Sequence, residues 1–336
     1  MKLSGDGGVE ALLERLPPPP GEGPHVVVNV GKGGVGKTTV SILVAKLLAE
    51  RGRRRVLLVS LDQAMHLLEY LGLPGTQRAY RVSEGLEALQ FDLEKEAEKF
   101  TGEYSMLLQR IMPGLKALNL ERYAEIVRNS PGFEEEVYLR YLSHLYRKQE
   151  YDYIVVDTPP TGVTLRILGL PRNYVFWLER LAELRERIVG LRYTMARVLG
   201  EKPRVTDPVL DRIRKLRESY QHLHRLITSP QHTTYTIVAT PEPLPVYEAR
   251  KTLTTLNKLG AGVGVIIANK VLPPEKAQSL GISQVQERSL RELSSLDCGP
   301  CVKLSITALE YPPHRLRDVD LLVERIRPLQ PAGGGP

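Results

Sequence analysis

The sequence predicts an α/β fold: a mostly parallel central sheet flanked by helices, with an all-helical subdomain inserted around the third strand. Three observations carry this expectation. Short apolar runs rich in Val and Ile recur along the chain, most of them followed by segments with helical spacing, the alternation from which buried parallel sheets are built. The first run leads directly into a glycine-rich loop and then into a helical pattern. Two long stretches, 93–150 and 170–230, show helical spacing only.

Six strands are expected in order: Val26–Val30, Arg55–Ser60, Tyr153–Asp157, Tyr235–Thr240, Val263–Asn269 and Val302–Ile306. Ligands of such sheets sit beyond the carboxyl ends of the strands. Asp62, Asp157, Glu242 and Asn269 all fall at or just after those ends, so four polar groups converge on one edge. In the first helical stretch Tyr104, Leu107, Leu108, Ile111, Met112, Leu115, Tyr123, Ile126 and Val127 repeat at helical spacing; in the second Phe176, Trp177, Leu178, Leu181, Leu184, Ile188, Leu191, Met195, Val198 and Leu199 do so. The expected organisation is a nucleotide domain from 25–92, 151–169 and 231–328, and a helical subdomain from 93–150 and 170–230. Residues 1–24, closing in the Pro/Gly-rich Pro17–Pro24, and 329–336 are expected to be flexible.

The loop Gly31-Lys32-Gly33-Gly34-Val35-Gly36-Lys37-Thr38-Thr39 follows the apolar run Val26–Val30 and precedes the pattern Val40, Leu43, Val44, Leu47, Leu48. Strand, glycine loop, helix is the context of a P-loop, which binds nucleotide phosphates. Glycines let backbone N–H groups turn inward around phosphate oxygens, and the helix N-terminus adds a positive dipole end. Lys37 is the residue to reach the β/γ-phosphates, and the Thr38 hydroxyl the one to hold Mg²⁺. Asp157, at a strand end, suits a carboxylate that reaches Mg²⁺ through its water shell.

Composition narrows the classes. The 336 residues carry a net charge of +7, with 46 Lys+Arg against 39 Asp+Glu. The basic residues are interleaved with acids, as in Leu178–Arg187, which describes an ion-paired helix face better than a nucleic-acid surface. No nucleic-acid partner is expected. No apolar run reaches the ~18 residues of a membrane-spanning helix, and Met1–Pro24 lacks the basic start and apolar stretch of a signal peptide. Only two cysteines are present, which argues against a disulfide scaffold and fits a cytoplasmic protein.

The loop Lys32-Gly33-Gly34-Val35-Gly36-Lys37-Thr38 resembles the deviant Walker A pattern of dimeric P-loop ATPases such as the MinD, ParA, nitrogenase iron protein and ArsA groups. Asp157-Thr158-Pro159-Pro160-Thr161-Gly162-Val163-Thr164-Leu165-Arg166 resembles the switch II motif of the ArsA/Get family. Pro131–Glu135, Thr240–Ala249, Ile266–Lys270 and Ser305–Pro312 resemble further segments of that family. The resemblance runs from about Val26 to about Leu322, nearly the whole chain.

It implies a homodimeric ATPase that hydrolyses ATP with Mg²⁺. Lys32 would cross the dimer interface to the partner's nucleotide, where a positive charge stabilises the transferring phosphoryl group. Asp62 would be the switch I aspartate that positions the attacking water; the alternative is a helix N-cap before Ala64–Leu67. Glu242 and Asn269 match nucleotide-contacting positions, the asparagine reading adenine. Their alternatives are an ion pair and an ordinary strand-end polar residue. Ser305, Thr307 and Glu310 lie in the segment that closes over the base.

The chain departs from the family pattern in three places. Switch I reads Asp62-Gln63-Ala64-Met65-His66-Leu67, without the family's proline, and Val163 stands where switch II usually has histidine. Cys298-Gly299-Pro300-Cys301 has spacing compatible with half of a Zn²⁺ site shared across a dimer, with a local thiol or disulfide pair, or with plain turn chemistry. It lies farther past Asn269 than the pair in the family's targeting factors.

Two functions share this scaffold by resemblance. One is capture and targeting of tail-anchored membrane proteins, whose transmembrane segments would enter a groove of the helical subdomains, with a membrane receptor or insertase as a further partner. The other is driving an arsenite efflux pump. A third reading is a switch in which nucleotide governs dimerisation without significant catalysis.

Overall fold

The computed structural model describes residues 6–76, 78–111, 128–200 and 207–329. A nine-stranded sheet forms its centre: β1 (His25–Val30), β2 (Val56–Ser60), β3 (Tyr80–Ser83), β4 (Leu86–Gln90), β5 (Tyr153–Asp157), β6 (Thr233–Ala239), β7 (Val263–Val271), β8 (Val302–Thr307) and β9 (Ile326–Pro328). Their order is β3-β4-β2-β5-β1-β6-β7-β8-β9. Only the two outer strands are antiparallel to their neighbours. The six expected strands are β1, β2 and β5–β8. The three additional strands are the edges and the one beside them. β4 alternates buried and half-buried residues where the inner strands β1, β2, β5 and β6 are buried throughout, and β9 has three residues.

Eleven helices lie among the described residues: α1 (Asp6–Arg15), α2 (Lys37–Glu50), α3 (His66–Leu71), α4 (Leu93–Ile111), α5 (Phe133–Leu145), α6 (Thr161–Val198), α7 (Pro208–Thr228), α8 (Pro243–Leu259), α9 (Pro274–Ser279), α10 (Ser283–Ser294) and α11 (Leu316–Val323). They cover both faces of the sheet, giving two buried cores. Val28, Val59, Ile154 and Ile237 contribute to one, with Leu139 of α5, Ile167 of α6, Leu223 of α7 and Leu253 of α8. Val27, Leu58, Val155 and Ile267 contribute to the other, with Ile42 of α2, Leu12 of α1 and Val319 of α11. Alternate residues of each strand thus serve opposite cores, as the pleat requires.

The lead-in is not loose throughout. Val9, Leu12 and Leu16 are buried, at the i, i+3, i+7 spacing of one helix face, and α1 packs on β8 and β9. Arg15 Nε donates to the Gly264 carbonyl at 3.3 Å, and Tyr153 Oη to the Pro17 carbonyl at 2.8 Å. Residues 1–5 and 330–336 lie outside the described residues, as do Met112, Leu115, Tyr123, Ile126 and Val127.

The helical stretches meet around a half-buried polar knot. Tyr220 of α7 donates to Glu136 Oε1 of α5 at 2.8 Å, and its ring lies 4.8 Å from that of Tyr174 on α6. Burial raises the Glu136 carboxyl above its ordinary range. Asp207 caps α7, accepting from the Val209 and Leu210 amides at 3.0 and 2.9 Å, and grips Arg185 of α6 at 2.8 Å. The helix α6 passes unbroken through 169–170, where the sequence suggested a boundary. A single helix thus spans the expected boundary.

His25 opens β1 fully buried, its ring nitrogens 2.9 Å from the Gln231 carbonyl and from Thr234 Oγ1. Burial lowers its pKa from 6.5 to about 4. The unfolded chain takes up a proton below pH 6.5 that the folded chain refuses until about pH 4, so the contribution to stability is full above 6.5 and is lost as pH falls through that window. Urea unfolding at pH 7.5 and 4.5 should show wild type losing about 2–3 kcal/mol more than His25→Gln. Equal losses would mean that the imidazole is charged in the fold.

Candidate nucleotide-binding active site

β1 lies between β5 and β6, where the chain order reverses and the sheet opens a crevice at its carboxyl edge. The P-loop connects β1 to α2 across that crevice. Gly36 sits at the N-cap of α2 with φ +91°, and a Cβ there would run into the Asn269 amide. A Cβ on Gly31 would meet the Val238 carbonyl. Both positions therefore need glycine for close backbone approach. Gly33 and Gly34 face open space, which leaves the cradle side of the loop free for an anion.

Lys37 is buried at 6% exposure, and its Nζ donates to the Lys32 carbonyl at 3.3 Å. Burial lowers its ammonium from the ordinary range, against the opposing pull of Asp157 and Asp62. Asp157 is 1% exposed. Its Oδ2 accepts from Thr38 Oγ1 at 2.7 Å and Ser60 Oγ at 3.2 Å, and its Oδ1 from Ser41 Oγ at 3.4 Å. Desolvation pushes this carboxyl up to about 6, partly offset by Thr38 and Lys37. Such a carboxylate is short of positive charge. A Thr hydroxyl beside it completes a hard oxygen pair of the kind that suits Mg²⁺, so the residues present fit that ion: Thr38 would hold it and Asp157 would orient its water shell, and the ion would neutralise phosphate charge.

Asp62 follows β2 and is half-buried. Its Oδ1 accepts from the Ala64 amide at 3.2 Å, a local turn. It is not the N-cap of α3, because Met65 holds that position with φ +53°. Gln63 reaches out of switch I, its Nε2 donating to Tyr138 Oη of α5 at 2.9 Å. Lys32 is half-buried at the loop's start, and Glu242 is exposed at the N-cap of α8. Asn269 is buried, its Nδ2 donating to the Val35 carbonyl at 2.8 Å. Thr307 ends β8 and Glu310 is exposed beyond it, both on the P-loop side. Ser305 is different: it lies within β8 and its hydroxyl faces the Arg327 carbonyl of β9 at 3.4 Å.

The cysteines stand apart. Cys298 and Cys301 are joined as a disulfide before β8 begins, at the sheet edge opposite the P-loop. Bonded to each other, the sulfurs do not form the thiolate pair that Zn²⁺ requires. That expectation is replaced by the disulfide alternative. Among the described residues, no group of three or more His, Cys, Asp or Glu side chains is placed to hold a metal.

Several site residues escaped the sequence reading. Gln90 ends β4, 1% exposed, and its Nε2 donates to the Asp62 carbonyl at 2.7 Å. The strand-end rule would have found it had β4 been recognised. Ser41 and Ser60 hold Asp157. Asn29 Nδ2 donates to Ser41 Oγ at 2.8 Å.

Comparison with known proteins shows the family. Residues 25–297 match the ArsA ATPase family, described as anion-transporting ATPases. The chain belongs to the ArsA ATPase family. It is 33% identical, over 79% of its own length and 87% of the relative's, to a protein of Aquifex aeolicus named as an arsenical pump-driving ATPase. It is 31% identical to the ATPase GET3A of Arabidopsis thaliana, over 72% of this chain and 65% of that one. With an ATPase ASNA1 homolog of Dictyostelium discoideum the identity is 26%, over 79% and 78% of the two chains. This ArsA-family member is thus an ATPase with a P-loop NTPase fold, and its family implies ATP and, in general, Mg²⁺. No described helix is long and apolar enough to cross a membrane.

Proposed function

We propose that this ATPase is a homodimeric switch that captures the transmembrane segment of tail-anchored membrane proteins. The observation that carries the reading is α6. It starts directly after the switch II loop Thr158–Pro160 and runs 38 residues. Its outer half presents Trp177, Leu181, Leu184, Ile188, Leu191, Met195 and Val198, all exposed, between 36% and 82%. These recur every three or four residues and so form one stripe. At 1.5 Å per residue the stripe is ~32 Å long, the length of a transmembrane helix of ~20 residues. An unpaired apolar stripe of that length on a charged helix favours a hydrophobic client. A single stripe covers one side of such a client, so two subunits are needed to shield it.

In the proposed cycle the P-loop amides and Lys37 bind the phosphates. Asp62 orients a water for attack on the γ-phosphorus, the bond to ADP breaks, and phosphate leaves. Lys32 of a second subunit faces the developing charge. Loss of the γ-phosphate relaxes Thr158–Pro160, and α6 carries that shift to the stripe. Switch I has its own connection to the subdomain through Gln63 and Tyr138. Met65, Leu244 and Tyr247 are exposed apolar side chains at the same edge, as a surface for a second copy would require. The arsenite reading lacks such support, because the chain's two cysteines are bonded to each other.

The test replaces Trp177 and Leu184 by Asp. These side chains are exposed, so the fold should survive. Pull-down of a tail-anchored substrate should fall at least ~10-fold, a size expected of two desolvated apolar anchors, with ATPase activity kept. Undiminished capture by a folded, active variant would show that the stripe is not the client site.

A further inference from the structure

The end of β7 is irregular where it meets the P-loop. Against β8, Ala268 pairs with Ser305 but Val271 pairs with Thr307, so β7 carries one extra residue. A bulge of this kind re-aims side chains. Lys270 lies within it at φ +58°, one of three described non-glycine residues in the left-handed region, a conformation that strains a residue with a Cβ. In a regular strand Asn269 and Lys270 would point to opposite faces. Here both reach the P-loop. Asn269 Nδ2 donates to the Val35 carbonyl and Lys270 Nζ to the Gly34 carbonyl, each at 2.8 Å.

We propose that Lys270 is a positioning residue of the nucleotide site, fastening the P-loop from the β7 side. The proposal rests on the P-loop being the site of ATP binding. In a trans peptide the carbonyl and the N–H point in opposite directions. Holding the Gly34 carbonyl away from the cradle aims the Val35 N–H into it, and holding the Val35 carbonyl does the same for the Gly36 N–H. The loop's glycines make it cheap to deform, so an unheld loop spends part of its time with these amides misdirected. The strained backbone at Lys270 is the condition for both side chains to reach adjacent carbonyls. Because the clamp acts on amides that meet phosphate, it strengthens binding of any polyphosphate without selecting the base.

The experiment titrates Mg²⁺–ATP, Mg²⁺–GTP and inorganic triphosphate into wild type, Lys270→Met, Lys270→Gly, Lys270→Arg and Lys37→Ala by calorimetry, with melting temperatures alongside. Lys270→Met and Lys270→Gly should raise Kd by about tenfold for all three ligands, the size of one charge-assisted hydrogen bond. Lys270→Arg should recover most of the loss, and KM for ATP should rise by more than kcat falls. Lys270→Gly relieves the positive φ, so it should bind worse while melting no lower than wild type, a combination that general destabilisation does not produce. Unchanged Kd in both Met and Gly variants overturns the clamp, as does weaker ATP with unchanged triphosphate, which would place Lys270 on the base. If Lys37→Ala also binds like wild type, the P-loop reading itself fails; if Lys37→Ala loses binding while the Lys270 variants keep it, only the clamp fails.

Discussion

Replacing Lys37 by alanine should abolish ATP binding at micromolar concentrations. Lys37 is buried, its Nζ donates to the Lys32 carbonyl, and Asp157 and Asp62 oppose the lowering of its pKa by burial. A phosphate arriving there replaces lost hydration with a buried ion pair. Removing one partner of such a pair costs about 3–5 kcal/mol, which is at least ~100-fold in Kd. Calorimetric titration with Mg²⁺–ATP is the measurement. The variant also leaves the desolvated Asp157 without that neighbouring charge, so its carboxyl, already up to about 6, should rise further. Wild-type affinity in a folded Lys37→Ala protein would remove the P-loop from the site.

Asp62→Asn should keep ATP binding and lose hydrolysis by at least ~100-fold, the effect of removing a group that positions or accepts a proton in the transition state. The substitution is nearly isosteric. An Asn carbonyl can still accept from the Ala64 amide, and Gln90 still holds the backbone carbonyl of residue 62. The loop should therefore persist, and only the charge and one acceptor oxygen are lost. A single-turnover assay with saturating ATP separates the two roles. Unchanged turnover would mean that Asp62 only shapes the turn.

The inner strands and the phosphate loop could be read in the chain because their constraints are local. A strand buried on both faces is a continuous apolar run, as in Val26–Val30 and Tyr153–Asp157, and Gly31 to Thr38 carries its geometry in residue type. The edge strands were not legible for the converse reason. Leu86–Gln90 alternates because every second residue is only half-buried, and Ile326–Pro328 is too short to show any period. Missing β4 concealed Gln90, whose importance comes from the parallel pairing that sets Ser60 beside Gln90. The helix α1 shows its spacing in Val9, Leu12 and Leu16, but the Pro/Gly-rich segment beside it carries the opposite local signal.

By itself the sequence determined the chemistry offered at the site: a glycine loop, a lysine, a hydroxyl and an aspartate, each tied to its neighbours within a few residues. The tertiary structure decided which distant groups complete it. Ser60 and Ser41 converge on Asp157 from two different elements, and a bulge in β7 brings Asn269 and Lys270 onto a loop more than 230 residues earlier. Tertiary packing also decided the fate of the apolar stripe on α6. The spacing of Trp177 to Val198 is the same whether that face is buried or exposed, because periodicity records which residues share a face and not what lies against it. Among the described residues, the placement of α7 and the sheet leaves Trp177, Leu184, Leu191 and Val198 exposed, an outcome that spacing alone does not fix.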